Sequence, residues 1–242
     1  MKIKLIFSYD GSRFQGSATQ PHANSVQDTL LNALAHLGIF ERPLFASRTD
    51  KGVHSLGAVA SVWCGEHFDD LTLLKNQLNR FAHPHIHIKR IEKVSENFEV
   101  RFDAKMREYR YILNHSEFSP FLAPYFHFYP KIDIEKTNEI LAHFIGTHDF
   151  RLFCKQADAQ KNSIRTIFYA RAYAYKDFSV FKFRANGFLR AQIRFIIAAV
   201  LQVLAKKLSQ SELLEQISSQ KAHIRTPAPP NGLYLSHIFY WI

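Results

Sequence analysis

The sequence predicts an α+β fold of two ferredoxin-like or RRM-like halves that share a mostly antiparallel sheet flanked by helices. In residues 1–103, segments with an apolar period of two alternate with helical segments in the order β-α-β-α-β, and a related order follows in residues 104–242. The chain is also 47% hydrophobic and 14% aromatic. That composition supports a sizeable core and excludes intrinsic disorder.

Two helices are predicted between the strands of the first half. Lys2 to Tyr9 alternates polar and apolar residues, as a strand does. Ser25-Val-Gln-Asp28 has the form of a capping box and predicts that a helix starts there. Apolar spacing predicts a second helix over 71–81, and the remaining extended segments are 56–63, 86–94 and 98–102.

The second half begins with a strand predicted over 108–114 and ends with one over 233–240. Between them we expect a helix over 134–145, a polar loop over 156–162, a hairpin of 167–175 and 179–185 that turns at Lys176-Asp177, a long helix over 188–205 and a short one over 211–218. In the long helix, Arg190 and Arg194 are four residues apart, so they are predicted to share one face.

The charge of the chain is concentrated in its second half. Residues 1–103 carry 12 basic and 11 acidic side chains, a net charge of +1, whereas residues 104–242 carry 19 and 10, a net charge of +9. A localised excess of this kind indicates an anion-binding surface, and nucleic acid is the usual polyanionic partner.

Several classes of protein are not expected. Two cysteines are too few for a disulfide framework or a cysteine-rich zinc site. The first residues lack the pattern of a signal peptide, and the most apolar stretch contains Arg190, Gln192 and Arg194, which are costly in hydrocarbon. We therefore expect a cytoplasmic protein without a membrane span.

The segment Ser47-Arg-Thr-Asp-Lys-Gly-Val-His54 is the most unusual in the chain. If its first residues are extended, Arg48 and Asp50 project to the same side. An arginine keeps a nearby carboxylate ionised, which suits either a salt bridge or an activated nucleophile. The alternative is a simple turn, in which Asp50 caps nearby amides.

The motif Arg48-Thr-Asp50-x-Gly52-Val-His54 resembles the catalytic motif of the TruA-type tRNA pseudouridine synthases. Four further segments resemble family motifs in the same order: Tyr9-Asp-Gly-Ser12, Tyr109-Arg-Tyr111, Asn186-Gly-Phe-Leu189 with Arg194, and Gly232-Leu-Tyr-Leu235. The chain departs from the family pattern after Gly16, where Ser17-Ala18 replaces the usual Trp-Gln, and at Ser47, Ala58, Phe195 and Ala198.

The resemblance implies that the chain isomerises uridine to pseudouridine in tRNA, at about positions 38 to 40 of the anticodon stem-loop. Breaking the N1–C1′ bond and joining C5 to C1′ needs no redox change, so the resemblance implies no metal and no cofactor. It also implies a catalytic cleft between the two halves, a homodimer and a base that leaves its stack.

The resemblance also implies a role for each site residue. Asp50 would attack C6 of uracil or C1′ of ribose, or stabilise a glycal-type intermediate. Arg48 would fill the vacated stack or hold a phosphate, and Tyr109 would stack on the uracil, although strand packing also explains Tyr109. Arg194 would keep Asp50 ionised, and the implied substrate contacts are Arg190, Asn186 and Leu233.

Two alternatives from other functional classes remain open. A non-catalytic RNA-binding protein fits an RRM-like sheet with aromatic residues. A metal-dependent nuclease fits if Asp10, Asp50, His54 and Asp103 converge. We interpret the histidines of His83-Pro-His-Ile-His87 as strand-surface residues rather than metal ligands, because no clustered carboxylate or cysteine accompanies them.

Overall fold

A computed structural model describes residues 1–21, 24–155 and 162–240. The polar loop predicted at 156–162 therefore lies almost wholly outside the described residues. By internal contacts the chain forms two compact units, unit 1 (Met1–Lys105 with Tyr234–Ile242) and unit 2 (Met106–Leu233). Unit 2 is thus one continuous segment, and unit 1 is built from both ends of the chain.

The described residues form strands and helices in both units. The strands are β1 (Lys2–Tyr9), β2 (Leu44–Phe45), β3 (His54–Trp63), β4 (Ile86–Val94), β5 (Met106–Asn114), β6 (His127–Phe128), β7 (Gly146–Asp149), β8 (Ile164–Tyr175), β9 (Phe178–Ala185) and β10 (Leu233–Phe239). The helices are α1 (Val26–Ala35), α2 (Leu71–Ala82), α3 (Ile134–Ala142), α4 (Gln192–Leu204) and α5 (Gln210–Ile217). The predicted α+β fold with mostly antiparallel strands and flanking helices is confirmed.

Unit 1 has the strand order β4-β1-β3-β10, with β2 beside β3. The first three strands are antiparallel, and β10 runs parallel to β3. Ile3, Leu5 and Phe7 alternate along β1 on its fully buried face, as the period of two predicted. The capping box at Ser25 and Asp28 is present and starts α1.

The outer strand of unit 1 is covered by α2. The Asn79 side chain donates to the Ile88 carbonyl oxygen (3.0 Å) and accepts from the Ile88 N–H (2.6 Å). An edge strand presents backbone groups that have no neighbouring strand to pair with. A helix side chain therefore satisfies one residue of β4 as a further strand would.

Unit 2 has the strand order β5-β9-β8-β7, all antiparallel, with β6 parallel to β5. The hairpin of β8 and β9 turns at Lys176 and Asp177, as predicted, and Lys176 has φ 51°. Helix α3 packs on β8, where the Asn138 side chain bonds both the N–H (2.7 Å) and the carbonyl oxygen (3.0 Å) of Ala172.

Three sequence predictions of local structure are wrong. Residues 98–102 form turns rather than a strand, because Glu99 O accepts from the N–H groups of Phe102 and Asp103. Helix α3 ends at Ala142, not at 145. Helix α4 begins only at Gln192, since Ala191 adopts a left-handed φ of 61° that interrupts the helical path. Arg190 therefore precedes α4, and the shared helical face with Arg194 does not exist.

No helix among the residues that the structure describes is both long enough and apolar enough to cross a membrane.

Replacing Asn79 with alanine removes both hydrogen bonds to Ile88 and leaves the backbone of a buried residue without them. We expect Asn79→Ala to lower the free energy of unfolding by about 1–3 kcal/mol, measured by urea denaturation. Asn97→Ala is the matched control, because Asn97 is exposed, and its change should stay within about 0.5 kcal/mol. Equal stability of the two variants would contradict the role of Asn79.

Candidate active site

Asp50 starts a tight turn between β2 and β3 of unit 1. Its carbonyl oxygen accepts from the N–H of Val53 (3.2 Å), and Gly52, the third residue of the turn, has φ 77°. A positive φ at this position favours glycine. Asp50 is half-buried and Arg48 is exposed, so both lie at the surface of unit 1 on one short segment.

Thr49, between these two residues, is held by three hydrogen bonds. The Ser17 Oγ accepts from the Thr49 N–H (2.7 Å), and the Ser17 N–H donates to the Thr49 carbonyl oxygen (3.1 Å). The Tyr9 hydroxyl bonds the Thr49 Oγ1 (2.8 Å). The segment that carries Arg48 and Asp50 therefore has no strand partner but is fixed through its middle residue.

Ser17 holds the segment that carries Arg48 and Asp50, a contact that sequence reasoning missed. It was noted only as a departure from the family pattern, yet it is 1% exposed and bonds Thr49 with both its side chain and its backbone. Gly16 precedes it with φ 118°, and a Cβ there would lie 3.1 Å from the Thr49 carbonyl oxygen. The one signal in the sequence is the glycine before Ser17, which indicates a turn there but does not identify Thr49 as the partner.

His54, at the start of β3, is a structural residue in unit 1. Its Nδ1 accepts from the N–H of Gly11 (3.1 Å), and its ring stacks on Tyr234 at 4.7 Å. Asp10 Oδ1 lies 3.4 Å from the same Nδ1. Because Nδ1 accepts from Gly11, we assign the Gly11 contact as the hydrogen bond and the Asp10 distance as proximity. A Cβ on Gly11 would lie 2.0 Å from the Val53 carbonyl oxygen, so this approach requires glycine.

Two of the three carboxylates of the nuclease alternative, Asp10 and Asp103, bond nearby groups of unit 1. Asp10 accepts from the Ser12 N–H (3.0 Å) and hydroxyl (2.7 Å), and Asp103 accepts from the Glu99 N–H (2.8 Å). Within the described ranges, no three His, Cys, Asp or Glu side chains are grouped as a metal ion would need. The geometry of the described residues therefore does not favour the nuclease.

In unit 2, Tyr109 and Tyr111 lie on the same face of β5. Tyr109 is 8% exposed and contacts the Phe188 ring edge-to-face at 5.3 Å. Tyr111 is fully buried, and its hydroxyl lies 2.9 Å from both the Pro229 carbonyl oxygen and His127 Nδ1. Since a carbonyl cannot donate, Tyr111 donates to Pro229 and His127 donates to Tyr111.

Burial changes the pKa of both members of this pair. It raises the pKa of the Tyr111 phenol, an effect that the charge of Arg194 opposes. Burial lowers the pKa of His127. Both groups are therefore neutral near pH 7, which matches the assigned donor and acceptor roles.

Arg194 is anchored to the segment that Tyr111 holds. Its Nε donates to the Ala228 carbonyl oxygen (2.7 Å), and the Ala228 N–H donates to the Arg194 carbonyl oxygen (3.0 Å). The next residue is Pro229, the partner of Tyr111. The structure thus brings two predicted motifs of unit 2 together, the tyrosine motif and the arginine of α4.

The other predicted substrate-binding residues of unit 2 have contacts of their own. Asn186 joins the ends of β8 and β9, because its Oδ1 accepts from the Thr166 N–H (3.1 Å). Arg190 is exposed, and its carbonyl oxygen accepts from the Lys155 N–H (3.3 Å). Leu233 is buried at the start of β10. Substrate contact by these three residues stays a prediction.

Comparison with known proteins identifies relatives over the whole chain. The family model described as tRNA pseudouridine synthase matches residues 5–103 and 140–241. The protein named "tRNA pseudouridine synthase A" of Campylobacter jejuni strain RM1221 is 62% identical over 99% of this chain and 100% of its own length. That of Helicobacter pylori strain 26695 is 41% identical over 98% of this chain and 99% of its own.

One solved structure, titled "Crystal Structure of a Cbf5-Nop10-Gar1 Complex", aligns with 96% of this chain at 9% identity and a TM-score of 0.34. The chain spans about half the length of that protein (47%). The similarity is too low to support an argument.

Replacing Ser17 with alanine leaves the Thr49 N–H without its acceptor. We expect Ser17→Ala to lower kcat for the chain's reaction by about 10- to 100-fold, because small displacements of reacting groups have effects of this size. Ser47→Ala, in the same segment, is the matched control and should retain most of the activity. Full activity of a folded Ser17→Ala variant would contradict the positioning role.

Replacing Tyr111 with phenylalanine keeps the buried ring but removes the hydroxyl between Pro229 and His127. We expect the free energy of unfolding to fall by about 1–3 kcal/mol, measured by urea denaturation, and kcat to fall more than KM rises. Tyr175→Phe, on an exposed residue, should change neither quantity. A stable but fully active Tyr111→Phe variant would refute the link from Tyr111 to Arg194.

Proposed function

The chain belongs to the tRNA pseudouridine synthase family, and we propose that it uses Asp50 as its nucleophile on uridines in the anticodon stem-loop. The activity itself follows from the family and from named relatives at 62% and 41% identity. The enzyme is an isomerase that converts uridine to pseudouridine in tRNA. The target positions, about 38 to 40, are the part of the proposal that comes from the resemblance.

The reaction exchanges one bond between base and sugar for another. The N1–C1′ bond breaks, the uracil turns, and a C5–C1′ bond forms while C5 loses a proton and N1 gains one. Atoms and electrons balance without a redox partner. What the protein must supply is a carboxylate at the reacting centre and a way to hold the base outside its stack.

One observation carries the proposal for Asp50. It is the half-buried carboxylate at the start of a fixed turn, in the segment that matches the family's catalytic motif. The adjacent Thr49 is bonded on three sides, so the backbone of Asp50 is held before substrate arrives. Preorganisation of this kind lowers the entropy that a reaction must lose. Arg48 is exposed on the same segment, as a residue that replaces a flipped base must be.

Two residues of unit 2 complete the proposed set. Tyr109 is proposed to stack on the uracil, and its contact with Phe188 orients its ring. Arg194 is proposed as the cation that keeps the catalytic carboxylate ionised, and its Nε is fixed on Ala228. Arg190, Asn186 and Leu233 are proposed as further substrate contacts. A homodimer in the cytoplasm is the proposed state of the enzyme.

The first test replaces Asp50 with asparagine, which keeps the size of the side chain and removes its charge. We expect Asp50→Asn to abolish pseudouridine formation in tRNA while the Kd for tRNA changes little. Pseudouridine is mapped in tRNA from cells that carry either variant as the only copy. Asp103→Asn, which alters a carboxylate that caps a turn, is the control and should remain active.

Two outcomes would contradict the proposal. Substantial product from Asp50→Asn would show that another group is the nucleophile. If the wild-type protein cleaved RNA and lost that cleavage activity in excess chelator, the nuclease alternative would be restored.

A further inference from the structure

The sheet of unit 2 has a second face, opposite the one that carries Tyr109 and Tyr111. The register pairs Glu108 with Arg184 and Arg110 with Lys182 between β5 and β9. Between β9 and β8 it pairs Arg184 with Tyr169 and Lys182 with Arg171. Directly paired residues share a face. We call this set the basic face; its members are Glu108, Arg110, Lys182, Arg184, Tyr169 and Arg171.

A buried carboxylate holds three cations of the basic face. Glu108 is 3% exposed. Its oxygens lie 2.7 Å from Arg184 Nε, 3.2 Å from Lys182 Nζ and 3.4 Å from Arg110 Nη2. Burial alone would raise the pKa of Glu108, but the hydrogen bonds from Arg184 and Lys182 lower it overall. One ionised carboxylate thus faces three positive charges.

The cations remain partly open to solvent, and two of them lie over an aromatic ring. The Arg184 and Arg110 side chains are 35% and 40% exposed. The ring of Tyr169 lies 5.8 Å from the Arg184 guanidinium and 5.9 Å from Lys182 Nζ. Arg171 is exposed and forms no ion pair with any residue that the structure describes.

A purely structural ion network does not account for this surplus. Neutralising one carboxylate requires one cation, and each additional cation on the same face repels the others. The basic face carries four cations and one carboxylate, so it gains stability when an anion binds to it. Because Glu108 already orients three of the four cations, little side-chain freedom is lost when they contact a ligand.

We propose that the basic face binds the phosphodiester backbone of tRNA, as a contact additional to the active site. Partly exposed cations recognise the RNA backbone, and an aromatic ring beside them, here Tyr169, can contact an unstacked base. The same face of a second copy is a poorer occupant, because it would bring four more cations and only one more carboxylate to this surface, so we expect the proposed homodimer to use another surface. The proposal rests on the proposed function, which supplies the tRNA.

The test removes two charges while Glu108 keeps two partners. In the double variant Arg171→Gln with Lys182→Gln, Arg184 and Arg110 still pair with Glu108. We expect the Kd for unmodified full-length tRNA to rise on the order of tenfold, and the slope of log Kd against log salt concentration to become shallower by about 2, roughly 0.9 for each lost phosphate contact. KM should rise while kcat is retained.

The matched control removes the same charge elsewhere in unit 2. Lys131 and Lys136 are exposed, and Lys136 lies on α3. The double variant Lys131→Gln with Lys136→Gln should leave the Kd and the salt slope nearly unchanged. The single variant Arg171→Gln removes no observed ion pair and provides the measurement if the double variant fails to fold.

Two results would overturn the proposal. One is a wild-type Kd and salt slope in a folded basic-face variant. The other is a change of oligomeric state in sedimentation with an unchanged salt slope, which would make the face an interface between copies. Failure of the proposed function is distinct, because the wild-type enzyme would then form no pseudouridine in tRNA.

Discussion

The three hydrogen bonds on Thr49 fix the segment of unit 1 on which the proposed mechanism depends. Neither Arg48 nor Asp50 lies in a strand or a helix, so no regular backbone ladder holds them. Ser17 and Tyr9, from two other parts of the unit, hold the segment in place by their hydrogen bonds to Thr49. A loop usually moves more than the elements it joins, and here the contacts at its middle residue reduce that freedom while its charged side chains stay near solvent.

Much of the fold could be predicted from local signals, and the errors occur where a local signal was overridden. The capping box at Ser25 and the hairpin turn at Lys176 are encoded by adjacent residues, and both were predicted. The start of α4 was not, because Ala191 adopts a backbone conformation that alanine seldom favours. The Leu189 N–H donates to the Gln192 side chain (2.8 Å) and not to a backbone carbonyl of a preceding helical turn. A side-chain hydrogen bond of this kind depends on tertiary packing, which the spacing of apolar residues in the sequence does not reveal.

In the candidate site, the sequence likewise indicated the identity of the charged residues but not the residues that hold them in place. The motif predicted which charged side chains are candidates for the reacting centre, but not which contacts hold them. Tyr111 was identified only as part of a family motif, whereas the structure shows that its hydroxyl reaches Pro229, 118 residues later. Ser17 was expected only to be a departure from a pattern. Contacts across such distances in sequence leave no signal in a single chain.

The placement of β10 has a consequence for the order in which the protein is made. Unit 1 includes Tyr234 onward, but residues 106–233 belong to unit 2. During synthesis, β3 is made long before β10, so it lacks its parallel neighbour until the whole of unit 2 has been synthesised. The open side of β3 is then available to other extended chains. The sheet of unit 1 can therefore be completed only after all of unit 2 has been synthesised, and a chain truncated after Leu233 would contain the whole of unit 2 and an incomplete sheet in unit 1.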